Sequence, residues 1–122
     1  MVFKGFILSE SLNNPEILDK FKKIYVKTEE HPESEEAKVW HLFKIEIDDK
    51  DITKVAKQFS KLLKDKWYAH FWNGKVVYVI FPNKVFMIPQ EKKWSSNEFQ
   101  KVKEYGMKIG IEEQYLDFWI ED

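Results

Sequence analysis

The stretch WYAHFWNGKVVYVIFPNKVFMI, residues 67 to 88, constrains this fold more than any other. Asn73-Gly74 is the strongest short hairpin signal, because both residues tolerate positive φ. A two-residue turn there pairs Trp72 with Lys75, His70 with Val77 and Tyr68 with Val79. A second turn at Pro82-Asn83 sets Val79 against Phe86, Val77 against Ile88 and Tyr78 against Met87. Strand side chains alternate between faces. One face of this meander therefore carries Tyr68, His70, Trp72, Val77, Val79, Phe81, Phe86 and Ile88. The other carries Trp67, Ala69, Phe71, Val76, Tyr78, Ile80, Val85 and Met87. Both faces are apolar, whereas an antiparallel sheet with helices on one side usually shows a polar second face.

Something must cover the second face. The aliphatic run Val77, Val79, Phe81, Phe86 and Ile88 assigns the helices to the first face. That leaves Trp67, Phe71, Tyr78 and Met87 as a candidate face for a ligand or partner, most simply a homodimer in which the face meets itself. The alternative is that residues 3 to 30 fold back over it. If that face is core, the remaining place for function is a pocket between sheet and helices near His70 and Tyr68.

The rest of the chain supplies strands and helices around the meander. FKGFILSE reads as a strand, and Pro15 fits the first turn of a short helix. IYVKTEE reads as a second strand. In KVWHLFKIEID, residues Val39, His41, Phe43, Ile45 and Ile47 share a core face, and Trp40, Leu42, Lys44, Glu46 and Asp48 share the other. Residues 51 to 65 read as a helix with Ile52, Val55, Ala56, Phe59, Leu62 and Leu63 on one stripe. Residues 95 to 109 read as another, opened by a capping box at Ser95 and Glu98 and closed by Gly110. YLDFWI reads as a last strand. The expected architecture is α+β: a ferredoxin-like βαββαβ core with an extra hairpin strand, its antiparallel sheet extended by an N-terminal strand–helix–strand. No linker or repeat divides the chain, so residues 1 to 122 form one domain.

The stretches GFILSES, VWHLFKIEI, WYAHFWNG with VIFPNKVF, and EYGMKIGIEEQYLDF together resemble a group of small uncharacterised prokaryotic proteins of similar length. The resemblance covers most of the chain. It implies a single domain and carries over no activity, ligand or catalytic residue.

Composition excludes several classes of chemistry. Cysteine is absent, so there are no disulfides and no thiolate catalysis. All 20 basic residues are lysine, so no guanidinium fork is present for bidentate phosphate recognition. A net charge of −1 predicts no strong pull toward nucleic acid or an anionic membrane. No apolar run is long enough to span a membrane, and the N-terminus lacks a signal-peptide pattern; a cytoplasmic protein is expected. No cofactor motif is found.

His41 and His70 are the candidate catalytic residues. Each lies in an apolar strand, where burial can tune an imidazole for proton transfer. The bland alternative is two hydrogen-bonded structural histidines. His31, His41 and His70 show no metal-ligand spacing, so no metal is expected. Lys54, Lys57, Lys61 and Lys64 form a row opposite the helix stripe. The row suits a phosphate backbone, but a solvated face is the commoner role. The aromatic strands are reminiscent of single-strand nucleic-acid platforms but lack the basic-glycine-aromatic pattern of an RNA-recognition strand. The leading expectation is therefore a domain binding a small ligand or protein partner through its aromatic sheet. An enzyme using His70 or His41 comes second, and single-stranded nucleic-acid binding third.

Overall fold

A computed structural model describes residues 2–34, 37–89 and 97–116. Six strands form one antiparallel sheet: β1 (Val2–Leu8), β2 (Lys22–Glu30), β3 (Val39–Asp48), β4 (Ala69–Trp72), β5 (Val76–Phe81) and β6 (Lys84–Pro89). Their spatial order is β2-β3-β1-β4-β5-β6. Two helices, α1 (Ile52–Leu62) and α2 (Asn97–Lys108), complete the regular structure.

The α+β class and the antiparallel sheet are as expected. The βαββαβ arrangement is not what forms. β1 stands between β3 and β4, in the interior of the sheet rather than in an extension of it. The helices also lie on opposite faces. α1 buries Ile52, Val55, Ala56 and Phe59 with Phe3, Ile45, Phe71 and Ile80. α2 buries Phe99 and Val102 with Val77, Val79, Phe81 and Ile88. The apolar character of both meander faces now has its cause: each faces a helix.

The candidate partner face is thereby corrected. Phe71 is fully buried and Trp67 nearly so. Phe71 stacks on Phe59 of α1 at 5.8 Å, and Tyr78 meets Phe3 edge-on at 5.3 Å. Only Met87, on the outermost strand, is exposed. Phe71 and Tyr78 therefore belong to the core beneath α1, Trp67 is buried at its margin with its ring edge-on to Trp40, and among the described residues no open apolar sheet face remains there for a homodimer.

The second hairpin has the expected register, Val79 with Phe86 and Tyr78 with Met87. The first is displaced by two residues: Trp72 pairs with Val77 and His70 with Val79. Asn73 is the cause. Its side-chain oxygen accepts from the backbone amides of Lys75 and Val76, both at 2.9 Å, which widens the turn. A slip of two preserves face parity, so every side chain keeps its expected side.

At the start of β3, Val39 and His41 are exposed rather than core, because the strand runs past the edge of α1's cover. Ser95 and its proposed cap lie outside the described residues. Of the expected last strand, residues 115–120, Tyr115 ends a 3-10 turn that begins at Glu113, and residues 117–120 lie outside the described residues.

The end of α2 sets up the site. Gly110 has φ +102, the conformation its Cβ-free backbone permits. Its amide donates to the Met107 carbonyl at 3.1 Å, and that of Ile111 donates to Gly106 at 3.0 Å. This paired closure turns the chain sharply and sends Ile111 back into the apolar interior.

Candidate functional site

α2 packs chiefly over β5 and β6, and among the described residues neither helix packs on the same face of the sheet above β2 and β3. The register places Tyr25, Lys44, Phe6 and His70 in one row across four neighbouring strands there. Leu42 and Leu8 form the next row. The segment from Gly110 to Tyr115 rises on one side, and Glu33 and Ser34 after β2 on the other. They bound a pocket of about 290 Å³ lined by Phe6, Tyr25, Trp40, Leu42, Trp67, Tyr68, His70, Ile111 and Tyr115, among others. That volume is at the small end of the range for ligand sites.

A chain of polar contacts ties the two walls together. The Tyr68 hydroxyl donates to the Tyr115 carbonyl at 2.5 Å. The Tyr115 hydroxyl donates to Glu33 Oε2 at 2.9 Å. His31 Nδ1 lies 3.0 Å from the same oxygen, and its Nε2 lies 3.1 Å from Glu29 Oε1. With both ring nitrogens facing carboxylates, only the doubly protonated imidazolium can donate twice. Partial burial opposes that charge, but the bonds to Glu29 and Glu33 outweigh it and raise the His31 pKa. Burial likewise opposes the charge of Glu29, yet the His31 and Lys27 contacts hold its pKa down. A backbone hydrogen bond within Glu33 and the bond from His31 lower that of Glu33. The His31 ring also stacks on Trp40 at 3.6 Å, where the imidazolium gains from the indole face. His31 is thus a clasp fixing Trp40, Glu33 and Tyr115 along the pocket mouth.

Lys44 lies beside the pocket, behind two of the rings that line it. It is only 6% exposed. Its Nζ lies 5.7 Å from the Phe6 ring centroid and 5.8 Å from those of Tyr25 and Trp72. Phe6 and Tyr25 are pocket walls, so a buried cation polarises the rings any ligand would touch.

Comparison with known proteins finds no matching family model, curated protein or solved structure.

The structure brings Tyr68 and His70 into one pocket wall, with their rings 6.2 Å apart. It separates His41 from them. His41 lies on the opposite face, where Glu10 Oε1 accepts from its backbone amide and Glu10 Oε2 lies 2.6 Å from its Nδ1. The two histidines therefore form no pair. Burial disfavours the Glu10 carboxylate, but the His41 contacts dominate and lower its pKa. Lys54, Lys57 and Lys61 line an open groove on the outer face of α1, across the sheet from the pocket aromatics. Among the described residues no group of His, Asp or Glu is arranged to hold a metal, and no helix is long and apolar enough to cross a membrane. Sequence reasoning missed Phe6, Tyr25, His31, Lys44 and Tyr115. Trp40 and Leu42 opening an otherwise polar strand face were the available signal.

Proposed function

We propose that this domain binds a small, planar, largely apolar molecule in the pocket between the sheet and the Gly110–Tyr115 segment. One observation carries the reading: aromatic side chains from separate strands converge on a half-open concavity that neither helix fills. Ligand sites are characteristically concave and aromatic, with a few placed polar groups. Here those groups are His70 in the wall and the clasped carboxylates at the mouth. The volume corresponds to about ten waters, so the ligand is of roughly ten non-hydrogen atoms, one or two rings.

The test is a thermal-shift screen of one- and two-ring planar compounds against wild type and Leu42→Trp, which fills the pocket with an indole. Binding in the pocket raises Tm for at least one compound in the wild type and for none in the variant. Equal shifts in both proteins place binding elsewhere and defeat the proposal. Acid–base catalysis is a second reading, favoured by the burial of His70 in the same wall. It requires turnover of a bound compound that His70→Gln abolishes while binding persists.

A further inference from the structure

The geometry points to the outer edge of β2 as a surface that pairs with β2 of a second copy of this chain, antiparallel about a two-fold axis at Val26. This interface is distinct from the pocket and from the buried face beneath α1, and it does not depend on the pocket binding a ligand.

Among the described residues β2 is the last strand on its side of the sheet. It is nine residues long, against six for β6 at the other edge, where Lys84 and Pro89 hinder pairing. Ile24, Val26 and Val39 are three of the five exposed large apolar side chains among the described residues, and all three sit at the β2 edge or beside it. Scattered apolar residues need no explanation, but a concentration on an exposed edge strand does.

The charge order selects the partner. The strand reads KKIYVKTEE. Antiparallel pairing centred on Val26 sets Lys22 opposite Glu30, Lys23 opposite Glu29 and Tyr25 opposite Lys27, twice over. Neighbouring registers are worse. Centring on Tyr25 sets Lys23 opposite Lys27, and centring on Lys27 sets that lysine against itself. Only the Val26 register joins opposite signs at both ends, and it buries Val26, now 48% exposed, against its own copy. Protective edges carry charge of one sign, which repels a second copy. Here the signs are arranged in mirror order, which attracts one. The bulge between Lys23 and Tyr25 ends the regular ladder, so the two lysines before it reach their glutamates through long side chains.

The pairing also bears on the pocket. Tyr25, Lys27 and Glu29 line it. Across the axis, Lys27 of the second copy comes beside Tyr25, so two pockets flank one continuous sheet and each rim gains a cation from the other copy.

The experiment is sedimentation across a wide concentration range. The wild type should show a reversible monomer–dimer equilibrium. Val26→Lys places two ammonium groups at the axis and should leave a monomer whose Tm equals that of the wild type at dilutions where the wild type is monomeric. Lys22→Glu and Glu30→Lys, each alone, should weaken dimerisation at least ten-fold, roughly the effect of losing and reversing paired charges. An equimolar mixture of these two variants restores opposite signs at both ends and should dimerise like the wild type. A wild type that stays monomeric up to its solubility limit overturns the inference. So does a dimer that survives Val26→Lys, or a mixture no tighter than its components.

Discussion

Gly5 sits at the centre of the sheet, facing Ile45 on β3 and Phe71 on β4. Replacing it with alanine adds one methyl group at a place with no room. A Cβ built there falls 2.1 Å from the His70 carbonyl oxygen, 2.3 Å from the Phe71 ring and 2.7 Å from Phe71 Cα. Two of those three atoms are backbone, so a rotamer change cannot clear them. Relief requires β4 to move away from β1 by more than an ångström, and sheet hydrogen bonds do not stretch that far. Register pairs Lys4–Trp72, Gly5–Phe71 and Phe6–His70 are all that join these strands. Overpacking costs about 1–3 kcal/mol, and each weakened hydrogen bond adds about 1 kcal/mol. Gly5→Ala should therefore cost about 3–5 kcal/mol, a large part of the stability of an ordinary domain. Urea unfolding followed by tryptophan fluorescence gives the number directly. A loss below about 1 kcal/mol would refute the argument, because it would mean that β1 and β4 are not packed as described.

Phe59→Ala should cost about 3–5 kcal/mol in the same assay, since the ring is fully buried between Phe21 and Phe71; a much smaller loss would mean that α1 faces another way. The clasp makes stability depend on pH. The raised His31 pKa gives a contribution that is present below its unfolded value near 6.5 and lost as pH rises through the folded one, while the lowered Glu29 and Glu33 values give contributions present above 4.5 and lost on acidification. The Tm gap between wild type and His31→Gln should be widest between pH 4.5 and 6.5 and shrink by pH 8.5; a gap that grows with pH contradicts the clasp. Lys57→Glu with Lys61→Glu should leave Tm within a degree or two of wild type, since both side chains are exposed. Salt-sensitive oligonucleotide binding by the wild type that this double variant lacks would make the lysine row functional instead.

Alternation made strands β3 to β6 legible, along with the face of each side chain within β4, β5 and β6. A two-residue turn fixed the second hairpin register from sequence alone. The first slipped because an asparagine side chain, not just its backbone, shapes the turn. Strand order was not legible. β1 is apolar on both faces and carries a glycine whose purpose, close approach to β4, shows only once the neighbour is known. The location of the pocket depends on that order, because Tyr25, Phe6 and His70 are far apart in sequence and meet only through registers of β1 with β3 and β4. Tyr68 and His70 could be singled out because polar atoms in an apolar strand need partners. Lys44 could not, since a lysine on an alternating strand usually marks the wet face, and the Phe6, Tyr25 and Trp72 rings around it come together only through the strand order.

The most direct measurement of the central claim is a methyl NMR titration with indole, an uncharged planar compound with nine ring atoms. At about −0.5 kcal/mol per atom, its Kd should be about 0.5 mM. The account predicts saturable shifts at Leu8, Leu42 and Ile111, with Val55 on the buried face of α1 unmoved, and the loss of the Leu8 and Ile111 shifts in Leu42→Trp. Shifts that do not saturate, or that centre on the α1 side of the sheet, would contradict it.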